Sequence, residues 1–369
     1  MSHCTLDVPE LTIGLDVGDK HCYFAAINAK GEFVDEGRVG TTPKALQKLF
    51  EMFTDARVVL ETGTQSAWIT ELLEKLGHTP IVAHARKVEA IYSNSKKTDR
   101  VDAKMLARLG RVDVELLSPI RVRGRRERKA LAVLRARDDL VTVRTQLVNH
   151  VRSVVKTWGS RIKDIGPRTF GNNALEQIPE DLKPALAPLV ETIAAVTKKI
   201  RALDRLVEKI SEEQYPETKL LRQVPGVGPI TALAFVLVIG DPRRFPNARA
   251  VGSYLGVVPR LDESGNSSPE LSITKQGDGF LRRLLVGSAQ YILGPFASDS
   301  DLRDFGLAIA ARGRKNAKRK AVVATARKLT VLLYTLWVTG DTYNPRHRSP
   351  RKNRRGVMRT SSVKTAKAG

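Results

Sequence analysis

Apolar and polar residues change their spacing twice along this chain. Between residues 11 and 119, short apolar runs (LTIGLDVG, CYFAAIN, RVVLET and TPIVAH) alternate with segments such as TPKALQKLFEMF and SAWITELLEKLG. Short runs rich in β-branched and aromatic residues are typical of strands, whereas apolar residues three or four apart are typical of amphipathic helices. Strands that alternate with helices predict an α/β domain over residues 11–119.

A different pattern fills residues 120–216. The segment RERKALAVLRARDDLVTVRTQLVNHVRSVVKTW contains neither Pro nor Gly, and LAPLVETIAAVTKKIRALDRLVEKISEEQ follows after a stretch that contains both. Each segment predicts one long amphipathic helix. Two such helices predict an antiparallel pair, or a coiled coil through which copies of the chain associate.

Residues 217–345 predict a mainly helical domain. Within it, LRQVPGVGPITALAFVLVIGD has the pattern of a helix-hairpin-helix, in which Gly226 and Gly228 let backbone amides approach a phosphate. A plain tight turn between packed helices explains the same letters equally well. Residues 346–369 carry nine Lys and Arg residues and no acid, which predicts a disordered basic arm.

The charge balance narrows the choice of partner. With 62 Lys and Arg residues against 39 acids, the formal charge is +23, and such self-repulsion favours an anionic polymer, above all nucleic acid, as partner. Two cysteines are too few for a disulfide framework and fit a reducing cytoplasm. The sequence shows no signal-peptide pattern and no obvious spanning segment, so we expect a cytoplasmic, nucleoid-associated protein without a membrane partner.

Four acids of the α/β region form the strongest candidate site. Asp16 and Glu61 lie in or at the end of apolar strands, and Asp99 and Asp102 lie three residues apart at the start of a predicted helix, on one face of it. Each acid alone is explained by a turn or a helix cap. Together, acids from two strands and the following helix can converge in a ribonuclease-H-like fold.

Converging carboxylates raise one another's pKa unless cations lie among them. Hard oxygen ligands favour Mg²⁺ or Mn²⁺, and a pair of such ions is the usual device for phosphodiester chemistry. The neighbouring Lys96, Lys97, Arg100 and Lys104 would then hold a nucleic-acid backbone beside the metals. Further candidate phosphate contacts, each of which could also belong to a solvated basic face, are Lys275, Arg282, Arg283, Arg314, Lys315, Lys318, Arg319 and Lys320.

Several motifs, in order, carry a resemblance to a known family. GLDVGDK, VVLETGTQSAWI, KVEAIYSNSKKTDRVDAKMLARL, VPGVGPITAL and YLGVVPRLDESGNSSPELSITKQGDGFLRRLLVGSA resemble the DEDD transposases of insertion sequences, the family that includes the Piv site-specific DNA invertase. The resemblance covers most of the chain, from about Leu11 to Pro345. It implies an N-terminal RuvC-like domain whose DEDD tetrad is Asp16, Glu61, Asp99 and Asp102.

The resemblance also implies features that spacing does not reveal. They are a C-terminal transposase domain with a serine nucleophile, a coiled coil between the two domains, assembly as a tetramer (a dimer of dimers), and guidance by a structured RNA. Ser264 matches the Ser-Gly motif and is the candidate nucleophile, which would leave a phosphoserine link to DNA. Ser253, Ser267, Ser268 and Ser272 are poorer candidates.

We therefore expect an insertion-sequence transposase that cuts and rejoins DNA through Ser264, aided by a Mg²⁺-binding tetrad. A first alternative is a metal-dependent, structure-specific nuclease, such as a junction resolvase, that uses the tetrad alone. A second is a non-enzymatic architectural protein that binds DNA or RNA and needs none of the four acids. Replacement of Ser264 should abolish activity only if the protein is a serine transposase. A nuclease should keep its activity without Ser264, and an architectural protein should keep its activity when all four acids are replaced.

Overall fold

A computed structural model describes residues 9–85, 98–260, 262, 271–313 and 316–347. The chain divides into two compact units, residues 1–125 and 126–369. The finer division into a catalytic domain, a coiled-coil region, a C-terminal domain and a tail stays a prediction. Candidate residues Lys96, Lys97, Ser264, Arg314 and Lys315 lie outside the described residues, as does the predicted tail from residue 348.

The N-terminal unit contains one five-stranded mixed sheet. Its order is β3-β2-β1-β4-β5, in which β1 pairs antiparallel with β2, β2 antiparallel with β3, β1 parallel with β4, and β4 parallel with β5. The strands are β1 (Leu11–Val17), β2 (His21–Asn28), β3 (Phe33–Gly40), β4 (Arg57–Glu61) and β5 (Thr79–Ala83). The helices are α1 (Pro43–Phe50), α2 (Ser66–Lys75) and α3 (Asp99–Val112). The predicted α/β character is therefore confirmed.

The two central strands present different residues to the two faces of the sheet, because side chains alternate along a strand. Ile13 and Leu15 of β1 belong to a buried cluster with Val58 and Leu60 of β4 and with side chains of α1 and α2. The intervening positions face α3. A Cβ atom added to Gly14 would stand 2.0 Å from the carbonyl oxygen of Ala103, so the backbones of β1 and α3 are in direct contact.

The C-terminal unit begins with the two predicted long helices. They are α4 (Arg125–Thr157) and α5 (Lys183–Gln214), and they run antiparallel: Arg126 donates to the carbonyl of Gln214, and Arg137 pairs with Asp204 at 2.8 Å. At the far end of the pair, a core of Val, Ile, Leu and Phe side chains includes the fully buried Phe170. Whether the pair forms a coiled coil between copies of the chain stays a prediction.

The mainly helical character of the remainder is also confirmed. After a single helical turn, Thr218–Leu221, the longer helices of the described residues are α6 (Pro229–Ile239), α7 (Ala248–Tyr254), α8 (Gly279–Leu293), α9 (Asp301–Ala310) and α10 (Ala317–Thr339). Every residue of α6 from Thr231 to Ile239 is buried. Their core includes Leu134 of α4 and Val207 of α5, so the C-terminal helices and one end of the helix pair fold around a common apolar centre.

The structure corrects one expectation from the apolar pattern. By length and composition, α10 is apolar enough to cross a membrane, although the sequence pattern had shown no obvious spanning segment. Leu329, Leu333 and Leu336 of α10 pack in the core of the C-terminal unit. Such an apolar stretch is what a core helix of a folded domain also requires.

Candidate active site

Asp16 and Glu61 lie on the same face of the sheet, at neighbouring strand ends. The parallel register pairs Gly14 with Val59 and Leu15 with Leu60, so the next positions along the two strands are Asp16 and Glu61. Asp16 lies two residues after Gly14, which contacts α3, and therefore on the α3 side of the sheet. Glu61 lies two residues after Val59, which packs with Leu106 of α3, and thus shares that side.

Helix α3 crosses this face antiparallel to both strands. Its residue Ala103 contacts Gly14, whereas its later residue Gly110 lies against Val59 and Thr12. Arg57, at the start of β4, donates a 2.8 Å hydrogen bond to the carbonyl of Gly110. The end of α3 therefore lies where the strands begin, and its first turn lies at the edge where β1 and β4 end.

Asp99 and Asp102 extend the sheet-facing stripe of α3 into its first turn. The buried residues of the helix are Ala103, Leu106, Ala107 and Gly110. Asp99 precedes Ala103 by four residues, and Asp102 precedes Leu106 by four, so both carboxylates lie on that face. The hydroxyl of Thr98 caps the helix by accepting from the amide of Val101 and fixes its first residue.

The structure thus brings four carboxylate-bearing positions to one edge of the sheet. Among the residues it describes, no three His, Cys, Asp or Glu side chains lie close enough together to hold a metal ion as they stand. The donor chemistry nevertheless fits Mg²⁺ or Mn²⁺, because all four side chains offer hard oxygen atoms. Burial raises the pKa of the Cys22 thiol on the adjacent strand, and the negative charge of Asp16 raises that pKa further.

Two predicted phosphate contacts near these acids have a protein partner. Arg100 and Lys104 both form ion pairs with Glu36 of β3, that of Lys104 at 2.6 Å. Their hydrogen bonds, first that of Lys104 and then that of Arg100, lower the pKa of Glu36. The role of Glu36 as their partner is not visible in the sequence, because no local pattern connects residue 36 with a helix more than sixty positions later.

Two chain segments, residues 256–260 and 272–277, flank the Ser264 segment in the sequence and are hydrogen-bonded to each other. We call these two segments the neck. Arg260 donates its amide to Ser272, Thr274 to Val258, and Lys275 to Gly256, at 2.9 to 3.1 Å. The neck is tightly packed at its base: a Cβ atom on Gly277 would stand 2.1 Å from the carbonyl oxygen of Tyr254. The two chain segments that flank residues 261–270 in the sequence are therefore held side by side.

Arg282 and Arg283, both predicted to clamp phosphates, also have protein partners. One guanidinium nitrogen of Arg282 donates to the carbonyls of Leu255 and Gln276, each at 2.8 Å, and ties α8 to the neck. Arg283 pairs with Asp138 of α4. Lys275 lies in the neck itself, with the left-handed φ of 56°.

The remaining candidates divide between a turn and a helix start. Gly226 has φ of +86°, and a Cβ atom there would meet Tyr291 at 2.9 Å, so this position needs glycine for packing and conformation. Gly228 is the N-cap of α6, but only a single helical turn, Thr218–Leu221, precedes the Gly-Val-Gly segment. Lys318, Arg319 and Lys320 are exposed in the first turn of α10, where the helix dipole disfavours cations.

Comparison with known proteins decides the family. A model of the IS110-type DEDD transposases matches residues 13–158, and the model described as "Transposase IS116/IS110/IS902 family" matches residues 218–300. The chain is therefore a transposase, and it is similar to the IS110-type DEDD transposases. The first match contains all four acids of the sheet edge, and the second contains the neck and the segment with Ser264.

Relatives along most of the chain support this assignment. The transposase is 28% identical to a probable family 20 transposase of Pseudomonas aeruginosa, over 81% of this chain and 89% of that protein. It is 26% identical to the transposase for insertion sequence element IS1111A of Coxiella burnetii, over 68% of this chain and 70% of that one. Another relative is the insertion element IS110 protein of 43.6 kDa from Streptomyces coelicolor, 21% identical over 90% of this chain and 95% of that protein.

Proposed function

We propose that this transposase cuts and rejoins DNA through Ser264, with Asp16, Glu61, Asp99 and Asp102 as the ligands of Mg²⁺ or Mn²⁺. One observation carries the metal site: the ends of β1 and β4 and the start of α3 meet at one edge of the sheet, with Asp16 and Glu61 on the α3 side of the sheet and Asp99 and Asp102 on the sheet-facing side of α3. The sheet order β3-β2-β1-β4-β5 supports a RuvC-like, ribonuclease-H-like domain. The role proposed for Ser264 rests on its place in the Ser-Gly motif.

The proposed reaction is a transesterification in two steps. The Ser264 hydroxyl attacks a DNA phosphorus atom and loses its proton, a phosphoserine ester forms, and one DNA oxygen leaves as a hydroxyl group. Attack by a DNA hydroxyl on the phosphoserine then restores Ser264 and joins the new strands. The number of phosphodiester bonds is unchanged, so no external energy source is needed.

The four acids would assist by positioning. When bound, a divalent ion supplies positive charge to the phosphoryl group and to the leaving oxygen. Asp16 and Glu61 are held by strand pairing, whereas Asp99 and Asp102 are held by the Thr98-capped helix. Rigid elements of this kind keep reacting groups within the narrow geometry that efficient catalysis requires.

A structured guide RNA and assembly as a dimer of dimers complete the proposal. The net charge of +23 supports binding of more than one nucleic-acid segment. The long antiparallel pair α4 and α5 offers an extended surface for contacts between copies. The basic residues Arg314, Lys315, Lys318, Arg319 and Lys320 would add phosphate contacts.

Trapping of a covalent intermediate tests the proposal. The protein, its element-end DNA and the adjacent transcript are incubated with Mg²⁺, denatured and resolved for protein-linked DNA, with Ser264→Ala, Ser272→Ala and Asp102→Asn beside the wild type. We expect an adduct that maps to Ser264, persists in Ser272→Ala and is lost in the other two variants. Cleavage without an adduct, insensitive to Ser264→Ala but lost in Asp102→Asn, would instead identify a metal-dependent nuclease.

A further inference from the structure

A basic cavity lies on the long helix pair, and none of the candidate residues named so far is among those that line it. It has a volume of about 480 Å³ and lies between α5 and the helical turn Phe170–Asn173. Three of its lining residues are cations, Arg168, Lys198 and Arg201, and none of the lining residues is an acid. A concave surface with convergent positive charge is suited to an anion.

The walls of this cavity are packed in place. A Cβ atom on Gly171 would stand 2.5 Å from the backbone nitrogen of Ala194, so the helical turn rests directly on α5. Arg201 donates a 3.3 Å hydrogen bond to the carbonyl of Arg168 and joins the two walls. Arg201 lies one turn of α5 after Thr197 and Lys198, because it follows them by four and three residues.

Two buried polar groups at this place lack a partner among the described residues. Thr197 lines the cavity and is only 6% exposed, yet its hydroxyl makes no hydrogen bond there. Arg144 of α4 is 8% exposed, and its Nε atom is likewise without a hydrogen bond in the described part of the chain. Buried donors without partners are costly, so such groups usually mark a place where a ligand or water binds.

The positive charge here is not neutralised by neighbouring acids. Burial lowers the pKa of the Arg144 guanidinium, and the charges of Arg137, Arg168 and Arg201 lower it further. The one carboxylate that opposes them, Asp204, is already engaged by Arg137 at 2.8 Å. An anion in the cavity would therefore relieve repulsion among the cations and could also accept a hydrogen bond from the hydroxyl of Thr197, which lines the cavity.

We propose that the cavity of Arg168, Thr197, Lys198 and Arg201 binds a phosphate group of a nucleic-acid backbone, with Arg144 as a buried supporting charge. Backbone phosphates fit because this chain is a transposase, a class of enzyme that acts on DNA, and because a phosphate accepts several hydrogen bonds from fork-shaped guanidinium groups. The site would position a strand along the helix pair without reading its sequence. It rests on nucleic-acid binding by this transposase, but not on the chemistry of Ser264 or of the four acids.

Binding measurements test the site without any cleavage. The full chain is titrated onto three fluorescein-labelled 30-nucleotide probes, a DNA duplex, a single DNA strand and an RNA hairpin, between 50 and 300 mM salt. The variants are Arg168→Gln with Arg201→Gln, and Thr197→Val, with Lys209→Gln as the matched control on the same helix. Lys209 is exposed, lies outside the cavity and faces Glu213 at 3.9 Å.

For the double variant we expect affinity for at least one probe to fall about tenfold at 150 mM salt, with a salt slope smaller by about one per lost phosphate contact. Thr197→Val keeps the shape of the side chain and should weaken the same probe by a smaller factor at unchanged thermal stability. The probe that responds identifies DNA or RNA as the source of the phosphate. Equal affinity and slope for the double variant and Lys209→Gln on all three probes would overturn the site.

A second readout excludes a protein ligand. If the double variant keeps its affinity for every probe but changes from an oligomer to a smaller species in light scattering, the cavity holds a carboxylate of another copy, and the proposal is wrong. Because neither readout needs strand cleavage, failure of this proposal is distinguishable from failure of the Ser264 mechanism.

Discussion

Gly14 of β1 and Ala103 of α3 touch through their backbones: a Cβ atom on Gly14 would stand 2.0 Å from the Ala103 carbonyl oxygen and 2.5 Å from the Ala107 nitrogen. Helix α3 can lie this close to the sheet only because residue 14 has no side chain. The contact therefore sets the distance between α3 and the sheet. That distance in turn decides how close the first turn of α3, with Asp99 and Asp102, lies to the ends of β1 and β4.

Gly14→Ala should consequently displace α3 and lower stability. The obstacle is backbone rather than a flexible side chain, so we expect a loss of about 1–3 kcal/mol in the free energy of unfolding. Urea unfolding followed by circular dichroism measures it. Gly63→Ala is the matched control, because its Cβ atom would meet nothing within 4 Å. Equal stability of the two variants would show that α3 is not fixed by this contact.

Removal of one carboxylate at the sheet edge should abolish Mg²⁺-dependent strand cleavage. We expect Glu61→Gln and Asp99→Asn each to lower the cleavage rate at least about a hundredfold, because a lost ligand weakens the metal site. Gel assays of labelled DNA measure the rate. Glu51→Gln serves as the control, since Glu51 follows α1, whose Phe50 packs on the opposite face of the sheet. Full cleavage activity of Glu61→Gln would show that Glu61 is not a ligand of the metal ion.

The ion pairs of Glu36 predict a pH dependence of stability. Hydrogen bonds from Lys104 and Arg100 lower its pKa below the ordinary value of 4.5, so the folded state holds the charged carboxylate more strongly than the unfolded chain. Stability from this source is fully present above pH 4.5 and is lost as the pH falls through the lowered folded pKa.

Thermal unfolding of wild type and Glu36→Gln across this range measures the effect. We expect the difference in Tm to be largest near neutral pH, to shrink below pH 4.5 and to decrease with added salt, because the pairs are partly exposed. A difference in Tm that stayed constant down to pH 2 would assign another role to Glu36.

The packing of Gly277 at the base of the neck predicts that alanine will have different effects at two glycines. Gly277 and Gly313 both have a left-handed φ, +76° and +67°, but only at Gly277 would a Cβ atom meet backbone, the Tyr254 carbonyl at 2.1 Å. Gly313→Ala should cost only the conformational penalty, about 1 kcal/mol. Gly277→Ala adds a clash and should also raise hydrogen exchange of the amides of Thr274 and Lys275. Similar exchange in both variants would mean that the neck tolerates the clash.

Local pattern in the sequence determined much of the secondary structure. The alternation of apolar runs and helical periods revealed the strands β1, β2, β4 and β5, and the two long segments without breakers revealed α4 and α5 to within a few residues. Strand β3 escaped this reasoning because FVDEGRVG is an edge strand with no buried residue and no regular alternation of apolar and polar residues. Its strand conformation depends on pairing with β2, which lies outside the local pattern.

The sequence also determined which four acids are candidates for a metal site. Carboxylates at the ends of apolar strands, and a pair three residues apart on a helix, suggest a site when they occur together. Only the tertiary structure decided that Asp16 and Glu61 are side by side and that α3 starts at their edge of the sheet. It likewise decided that Arg100 and Lys104 meet Glu36, and that Arg282 holds the neck. The reason is physical: a sequence pattern fixes the face on which a residue lies within its element, whereas register, packing height and helix direction arise only from contacts between elements.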